Sequence, residues 1–515
     1  MCERFPDPAA CDDAGLNLAI TGFARAEAAA AGHRLAAIAE LATRRLSSEL
    51  AQERRLWACD GWDSCAAEVA ADLTISHRAA STLMHQGLDL RDRLPLLGAL
   101  LRRGDITLKV ATTASWRTHL IDDPDLLTKV DGDLAAVATR FGRYSEKKLA
   151  AAIDVTIERY DPEAVRRFTA AEKNLDVQFG KPDDDTGTRS VYGRVKMSDA
   201  ELMQRRTEAL ATAVCADDPR TLGERRSEAW GIIAAQGDVL PCRCGKPHCP
   251  APAGPDARGK HFTILVLTDD PHAGGGEQGG GGEQGGPAPD AGPDDQGSED
   301  TGPEDAPAPP VPCAYTSILT GGGVIPAPLL AELRRIGATV RAVSHAEGLA
   351  ARQGYRLSVA QRRLVWARDL TCTFPGCDHP AEHCDVDHTT PFGVDGVTHP
   401  GNTKALCRKH HLLKTFWVGR GGWSDAQAAD GTIVWTSPAG LQYRAPPGSR
   451  IYFPHWDTTT PVPTTPTPAP YVEPASGREL RMPLRTRTRA QQHADRISAE
   501  REHNRHIDAD NPPPF

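Results

Sequence analysis

Cys372-Thr373-Phe374-Pro375-Gly376-Cys377, then His383-Cys384-Asp385-Val386-Asp387-His388, then Asn402, then Cys407-Arg408-Lys409-His410-His411: these stretches of the 515-residue chain decide how its C-terminal third folds. The Pro-Gly turn between Cys372 and Cys377 brings two thiolates toward one ion. Cys407 and His410, three apart on a helix, sit about 60° from each other around its axis and so share a face. The four make a Cys3His zinc site, since zinc accepts thiolate and imidazole tetrahedrally and supplies folding energy to a unit too small to hold itself together. Cys384, His379, His383 and His411 compete for the same four places, and the spacing favours Cys372, Cys377, Cys407 and His410.

On a helix His411 points about 100° away from His410, so if one faces the zinc the other faces something else. Adjacent histidines therefore suggest two ions. Asp387-His388 ends a strand expected over Cys384–His388, where successive side chains point to opposite faces. Asp387 paired with His411 can hold a divalent cation with open positions for water and phosphate oxygen, leaving His388 free to act as a base. A second cluster, Cys242-Arg243-Cys244-Gly245-Lys246-Pro247-His248-Cys249, offers Cys242, Cys244, His248 and Cys249 as ligands of a second zinc. One tight loop would then have to wrap the ion by itself, and a reduced Cys-rich turn explains the same letters.

Outward from these motifs the chain divides by composition. Its length implies about three domains. Ala-, Leu- and Arg-rich text with helical spacing marks a helical domain over 20–170. Inside it, Glu68 to Ala80 has the outline of a helix-turn-helix, although two helices packed around a Ser-capped turn account for it equally. An α+β region follows over 171–350, with a hairpin about Asp183–Gly187 and helices over Glu201–Val214 and Glu224–Ala235. The Gly/Pro/acid tract at about 270–312 cannot bury enough to order itself, and strands on both sides make it an insertion rather than a boundary. Residues 351–424 are the compact zinc unit, 425–453 a closing β-hairpin, and 454–515 a disordered Thr/Pro-rich and then Arg-rich tail. The fold class expected is multidomain and mainly α, with an α+β middle region and the zinc-stabilised unit near the C-terminus.

Net charge is −9, but residues 273–310 hold nine acids and no Lys or Arg, so the remainder is formally neutral. Residues 351–420 hold ten Lys/Arg against six acids, a basic unit that the global figure hides. No apolar run approaches the ~18 residues of a membrane span, which excludes an integral membrane protein. No signal-peptide pattern follows Met1, so the expected location is cytoplasmic and the thirteen cysteines are expected as thiols or metal ligands.

Asp387-His388, Asn402 and His411 resemble the H-N-H nuclease motif, a ββα-metal fold, here in its zinc-stabilised form. The wider pattern is similar to an actinobacterial family, the mycobacterial thirteen-E-twelve repeat proteins, which join a helical N-terminal domain of unknown function to a C-terminal H-N-H domain. The phrases that carry it are Leu94-Pro95 and Arg102-Arg103-Gly104-Asp105-Ile106 in the first part, with Val386-Asp387-His388-Thr389 and Leu406 to Thr415 in the second. Over roughly residues 20–450, the resemblance implies an endonuclease hydrolysing DNA phosphodiester bonds. His388 would be general base, Asp387 and His411 ligands of a catalytic magnesium, manganese, nickel or zinc ion, and Asn402 either the residue that orients the base loop or a completing ligand. Asn402 also reads as the N-cap of the following helix. Arg408, Lys409 and Lys414 are candidates for phosphate contacts. The loop Gly393–Gly401 lacks the adjacent Gly pair of many relatives, and Thr403 stands where Leu is common. DNA is the expected partner, with no membrane and no small-molecule substrate implied, and self-association through the helical part would let one site per chain cut two strands. The alternative is a zinc-stabilised DNA-binding or mobile-element protein whose nuclease site is inactive.

Overall fold

A computed structural model describes residues 7–142, 144–165, 175–183, 187–252, 254–268, 315–319, 323–344, 349, 354–394, 396–419, 421–461 and 482–510. The acidic Gly/Pro tract lies outside the described residues. The N-terminal part is a bundle of helices α1 (Asp13–Leu46), α2 (Glu49–Glu53), α3 (Gly61–Leu73), α4 (His77–Leu88), α5 (Pro95–Arg102), α6 (Leu108–Arg117), α7 (Pro124–Phe141) and α8 (Glu146–Tyr160). Helix α1 buries Ala28, Ala31, Leu35, Ile38, Ala39 and Ala42, a stripe at helical spacing, against the rest of the bundle. Small residues let backbones meet: a Cβ on Gly87 of α4 would lie 2.5 Å from the Leu35 carbonyl oxygen of α1.

The helix-turn-helix outline forms as α3, a turn through Thr74 in the left-handed region (φ 51°), and α4 capped by Ser76. Helix α3 is buried along Gly61–Ala71, with Val69 and Ala70 in the bundle core and Ala67 and Ala71 in a second core shared with the C-terminal unit.

In the middle region, β1 (Asp176–Asp183) and β2 (Thr188–Arg194) pair as a hairpin, and α9 (Met197–Thr212) packs on α10 (Leu222–Ala234). Strands β3 (Thr263–Thr268), β4 (Tyr315–Leu319), β5 (Gly323–Pro326) and β6 (Thr339–Ser344) form one sheet in the order β5-β4-β3-β6, with α11 (Ala327–Arg335) between β5 and β6 in the chain. The strands flanking the acidic tract, β3 and β4, are antiparallel neighbours, so that tract is inserted within a single sheet.

The C-terminal unit runs from α12 (Val359–Asp369) through β7 (Asp385–His388) and β8 (Thr403–Leu406) into α13 (Arg408–Phe416). Strands β7 and β8 are antiparallel, with Asp387 opposite Lys404 and His388 opposite Thr403. Arg368 and Asp369, both fully buried, brace them. The Arg368 guanidinium donates to the Pro400 and Thr403 carbonyls, and the Asp369 carboxylate accepts from the Ala405 N–H. The expected closing hairpin is a three-stranded sheet, since β9 (Ser424–Gln427) joins β10 (Ile433–Thr436) and β11 (Gln442–Ala445). It is continuous with the zinc unit: Trp417 and Trp423 share a core with Ile433 and Trp435, and the Trp435 indole donates to the Thr373 carbonyl.

The C-terminal tail departs from expectation. Residues 482–510 form a strap and a helix that pack on both the C-terminal unit and the helical bundle. Met482 enters the core of the zinc unit, the backbone around Leu484 pairs with that around Trp57, and α14 (Ser449–Tyr452) is followed after the strap by α15 (Arg489–Asp510) on the helical bundle. Ile497 joins the bundle core, Arg501 pairs with Asp161 at 2.7 Å, and the Asn504 amide donates to the Glu163 and Val165 carbonyls. The arginines that composition assigned to a mobile tail are therefore in part ion-pair partners of the bundle.

Candidate functional site

Cys372, Cys377, Cys407 and His410 converge, their ligand atoms all within 4.8 Å of one another. Nδ1 of His410 lies 3.4 Å from Cys372 Sγ and 3.3 Å from Cys407 Sγ. Zinc–sulfur and zinc–nitrogen bonds of ~2.3 and ~2.05 Å at a tetrahedral angle place such atoms ~3.6 Å apart, so the donor set fits a structural zinc. Gly376 (φ 73°) makes the turn between the first two thiols, and a Cβ there would lie 2.4 Å from the Ile75 carbonyl oxygen. The Cys372–Cys377 turn is thus pressed against the α3–α4 turn. The His410 ring stacks on Phe374 (4.0 Å) and meets His77 edge-on (5.8 Å). Cys384, His379 and His383 stay outside this group, Cys384 Sγ lying beside the His379 carbonyl.

His411 turns the other way. Its Nδ1 is 2.7 Å from Asp385 Oδ2 and its Nε2 3.5 Å from Asp387 Oδ1. A carboxylate on Nδ1 with Nε2 turned toward Asp387 is the arrangement that orients a metal-binding histidine. The other Asp387 oxygen belongs to two lysines: Lys404 Nζ at 3.2 Å and Lys414 Nζ at 2.5 Å. Asp425 completes a set of two ammonium and two carboxylate groups, 2.6 Å from Lys404. Burial works against the charged Asp387 carboxylate, but Lys404, Lys414 and His411 outweigh it and hold the carboxyl well below its usual range.

His388 is buried beside these groups on the wall of a cavity of about 570 Å³ that Asp387, His411, Lys414, Tyr355 and Asp425 also line. Its Nε2 is 2.9 Å from Thr398 Oγ1, and that hydroxyl donates onward to the Tyr355 carbonyl. A hydroxyl that donates to the Tyr355 carbonyl is free to accept from Nε2–H, the tautomer that would leave the lone pair on Nδ1. Tyr355 stacks on the ring. Burial lowers the imidazole from its usual range, Asp387 opposing and the two lysines reinforcing.

Asn402 and Lys414 spend their polar atoms on the chain itself. Asn402 spends its amide on the loop: Oδ1 accepts from the Thr390 N–H, and Nδ2 donates to the Thr390 and Val397 carbonyls. It positions the segment after His388. The N-cap expectation for it is overturned, because α13 begins six residues later, behind Cys407 as its N-cap. Lys414 is on the wall of the same cavity rather than on the outer surface. It lies three residues after His411 on the same helix face, buried, and donates to the His388 and Thr389 carbonyls as well as to Asp387. Lys409 pairs with Asp63 of the bundle at 3.1 Å, and exposed Arg408 lies 3.4 Å from Asp385.

Sequence inspection missed Asp385, Thr398, Lys404 and Asp425. The first had a signal, since residues 385 and 387 share a strand face. The others meet the site only through tertiary packing. At the second cluster, Cys215 rather than exposed His248 joins Cys242, Cys244 and Cys249.

A family model described as a domain of unknown function, DUF222, matches residues 23–290. An uncharacterized protein of Mycobacterium tuberculosis strain H37Rv is 47% identical over 509 residues, covering 96% of this chain and 89% of that protein. The chain belongs to the DUF222 family. A second uncharacterized protein of the same strain is 45% identical over 493 residues, covering 96% and 90%, and an uncharacterized M. tuberculosis protein encoded in an est 3′ region is 43% identical over 347 residues, 67% of this chain and 94% of its own length. No solved structure matches. The DUF222 match covers the bundle, the hairpin, α9–α10 and β3, and ends before the zinc unit. No helix among the described residues is long and apolar enough to cross a membrane.

Proposed function

We propose that the chain is a metal-dependent endonuclease of the H-N-H type that hydrolyses DNA phosphodiester bonds. One observation carries the proposal: His388, Asp387 and His411 line one cavity, with His388 Nε2 against the Thr398 hydroxyl and His411 Nε2 turned to the Asp387 oxygen that the lysines leave. The residues present fit a divalent cation. Asp387 Oδ1 and His411 Nε2 would hold it, and with Asp385, Asp387 and Asp425 against Lys404 and Lys414 the surroundings keep one net negative charge. When bound, such an ion supplies Lewis-acid stabilisation of charge growing on the phosphate and leaving oxygen.

The chain's own groups do the rest. His388 Nδ1 accepts a proton from water as its oxygen forms the new P–O bond and the bond to the leaving sugar oxygen breaks. Thr398 keeps the ring in the tautomer that can accept that proton, and Asn402 holds the loop from Thr389 to Val397. Tyr355 covers the ring and excludes solvent from its face.

The test is nicking of supercoiled plasmid with and without magnesium, manganese or nickel, beside His388→Ala, with zinc quantified in both proteins. Ion-dependent nicking that disappears in a zinc-retaining His388→Ala protein supports the assignment. Binding of DNA without cutting under any ion favours the alternative, a zinc-held DNA-binding protein, to which the two ammonium groups on Asp387 would then point.

A further inference from the structure

Nothing in the proposed nuclease chemistry uses the cysteines of the middle region. Cys242, Cys244 and Cys249 lie in one turn, and the obstacle to a metal there is that a short loop cannot surround an ion unaided. The fold removes the obstacle by bringing Cys215, three residues beyond the end of α9, to the same point: its Sγ is 3.5 Å from Cys242 Sγ, and all four sulfurs lie within 4.8 Å of one another. Tetrahedral zinc with ~2.3 Å bonds separates its sulfurs by ~3.8 Å. Backbone N–H groups already point at two of the thiols, Lys246 N at 3.5 Å from Cys244 Sγ and Ala251 N at 3.4 Å from Cys249 Sγ, the second-shell bonds that a thiolate ligand accepts. Gly245, at φ 69°, allows the turn that places the Lys246 amide there.

We infer that Cys215, Cys242, Cys244 and Cys249 form a second, all-thiolate structural zinc site that fastens the α9–α10 pair to the loop after it. The need for it is physical. The core between these helices is five buried residues, Leu210, Val214, Ala229, Ile232 and Leu240, too few to hold the unit by apolar burial alone. From the cluster, Arg243 pairs with Glu228 of α10 and Glu332 of α11, so a metal that orders this turn also ties the helix pair to the sheet region.

The experiment uses the full chain purified under reducing conditions without added metal. Mass spectrometry of bound metal is expected to give two zinc equivalents in the unaltered protein and in His248→Ala, and one in Cys244→Ser. A single equivalent in the unaltered protein overturns the inference, and loss of an equivalent in His248→Ala overturns the donor set. Alkylation with iodoacetamide and peptide mapping needs no variant. Cysteines 215, 242, 244 and 249 are expected to be protected until a zinc chelator is added and then to react. Immediate reaction without chelator, or continued protection after it through a disulfide, also overturns the inference. Because Cys377→Ser removes only the other zinc, the two sites are scored separately.

Discussion

Replacing Asp387 by Asn asks whether the charges around the cavity form one coupled set. In the native protein two ammonium groups face two carboxylates: Lys404 is fully buried and touches Asp425 and Asp387, whereas Lys414 touches Asp387 closely and reaches Asp425 only at 3.7 Å. The substitution leaves Lys404 with its 2.6 Å partner but strips Lys414 of its near carboxylate, so a buried cation is left with carbonyl acceptors and a carboxylate no closer than 3.7 Å. Removing one partner of a buried pair costs about 3–5 kcal/mol. At ~4–8 °C per kcal/mol for a unit of about 100 residues, this unit of the zinc-loaded, magnesium-free protein should unfold roughly 12–40 °C lower. The transition is followed by tryptophan fluorescence, since buried Trp417, Trp423 and Trp435 all report on this unit. Adding Lys414→Met should recover a large part of the loss, because Lys404–Asp425 then remains as a closed pair. If the double variant is no more stable than Asp387→Asn alone, Lys414 is not the stranded charge and the coupling described here is wrong.

Other outcomes follow from single contacts. Thr398→Val removes the acceptor that sets the His388 tautomer, and Asp385→Asn removes the partner of His411 Nδ1. The first should lower ion-dependent nicking about tenfold or more, and the second should raise the metal concentration needed by roughly 10–100-fold, both read from nicking rates against manganese concentration. Gly376→Ala puts a methyl group against the Ile75 carbonyl at a left-handed position, and metal analysis should show one zinc equivalent lost. The strap should loosen in acid. Burial, with His493, Arg489 and Arg496 nearby, lowers His85 to about 4 from an ordinary ~6.5. The detached state therefore binds the proton more readily, and docking of α15 weakens as pH falls from about 6.5 toward 4, a loss that hydrogen exchange along Arg489–Asn504 would report. Exchange that is unchanged across that window would refute it.

What could be read locally was read from residue spacing. The separation of Cys372 from Cys377 by a Pro-Gly turn, the three-residue step from Cys407 to His410 and the helical turn between His410 and His411 are short-range facts, and backbone geometry alone sends those side chains where they go. Partner choice is different. Whether Asp387 faces a lysine depends on the β7–β8 register, whether His388 can accept a proton depends on Thr398 in a loop held by Asn402, and Lys414 is buried because α13 lies against β7. The same division explains the two errors in outlying regions. Arg-rich composition says that residues 485–505 are solvated unless acids await them, and Asp60, Asp63 and Asp161, hundreds of residues away, do. Eight residues from 242 to 249 showed thiols in number but not their fourth companion, since Cys215 reaches them only when α9 and α10 pack side by side. Local stereochemistry is carried by neighbouring residues and is legible in their order. Which distant group satisfies a buried charge or completes a ligand set is decided by packing, which no short stretch of chain contains.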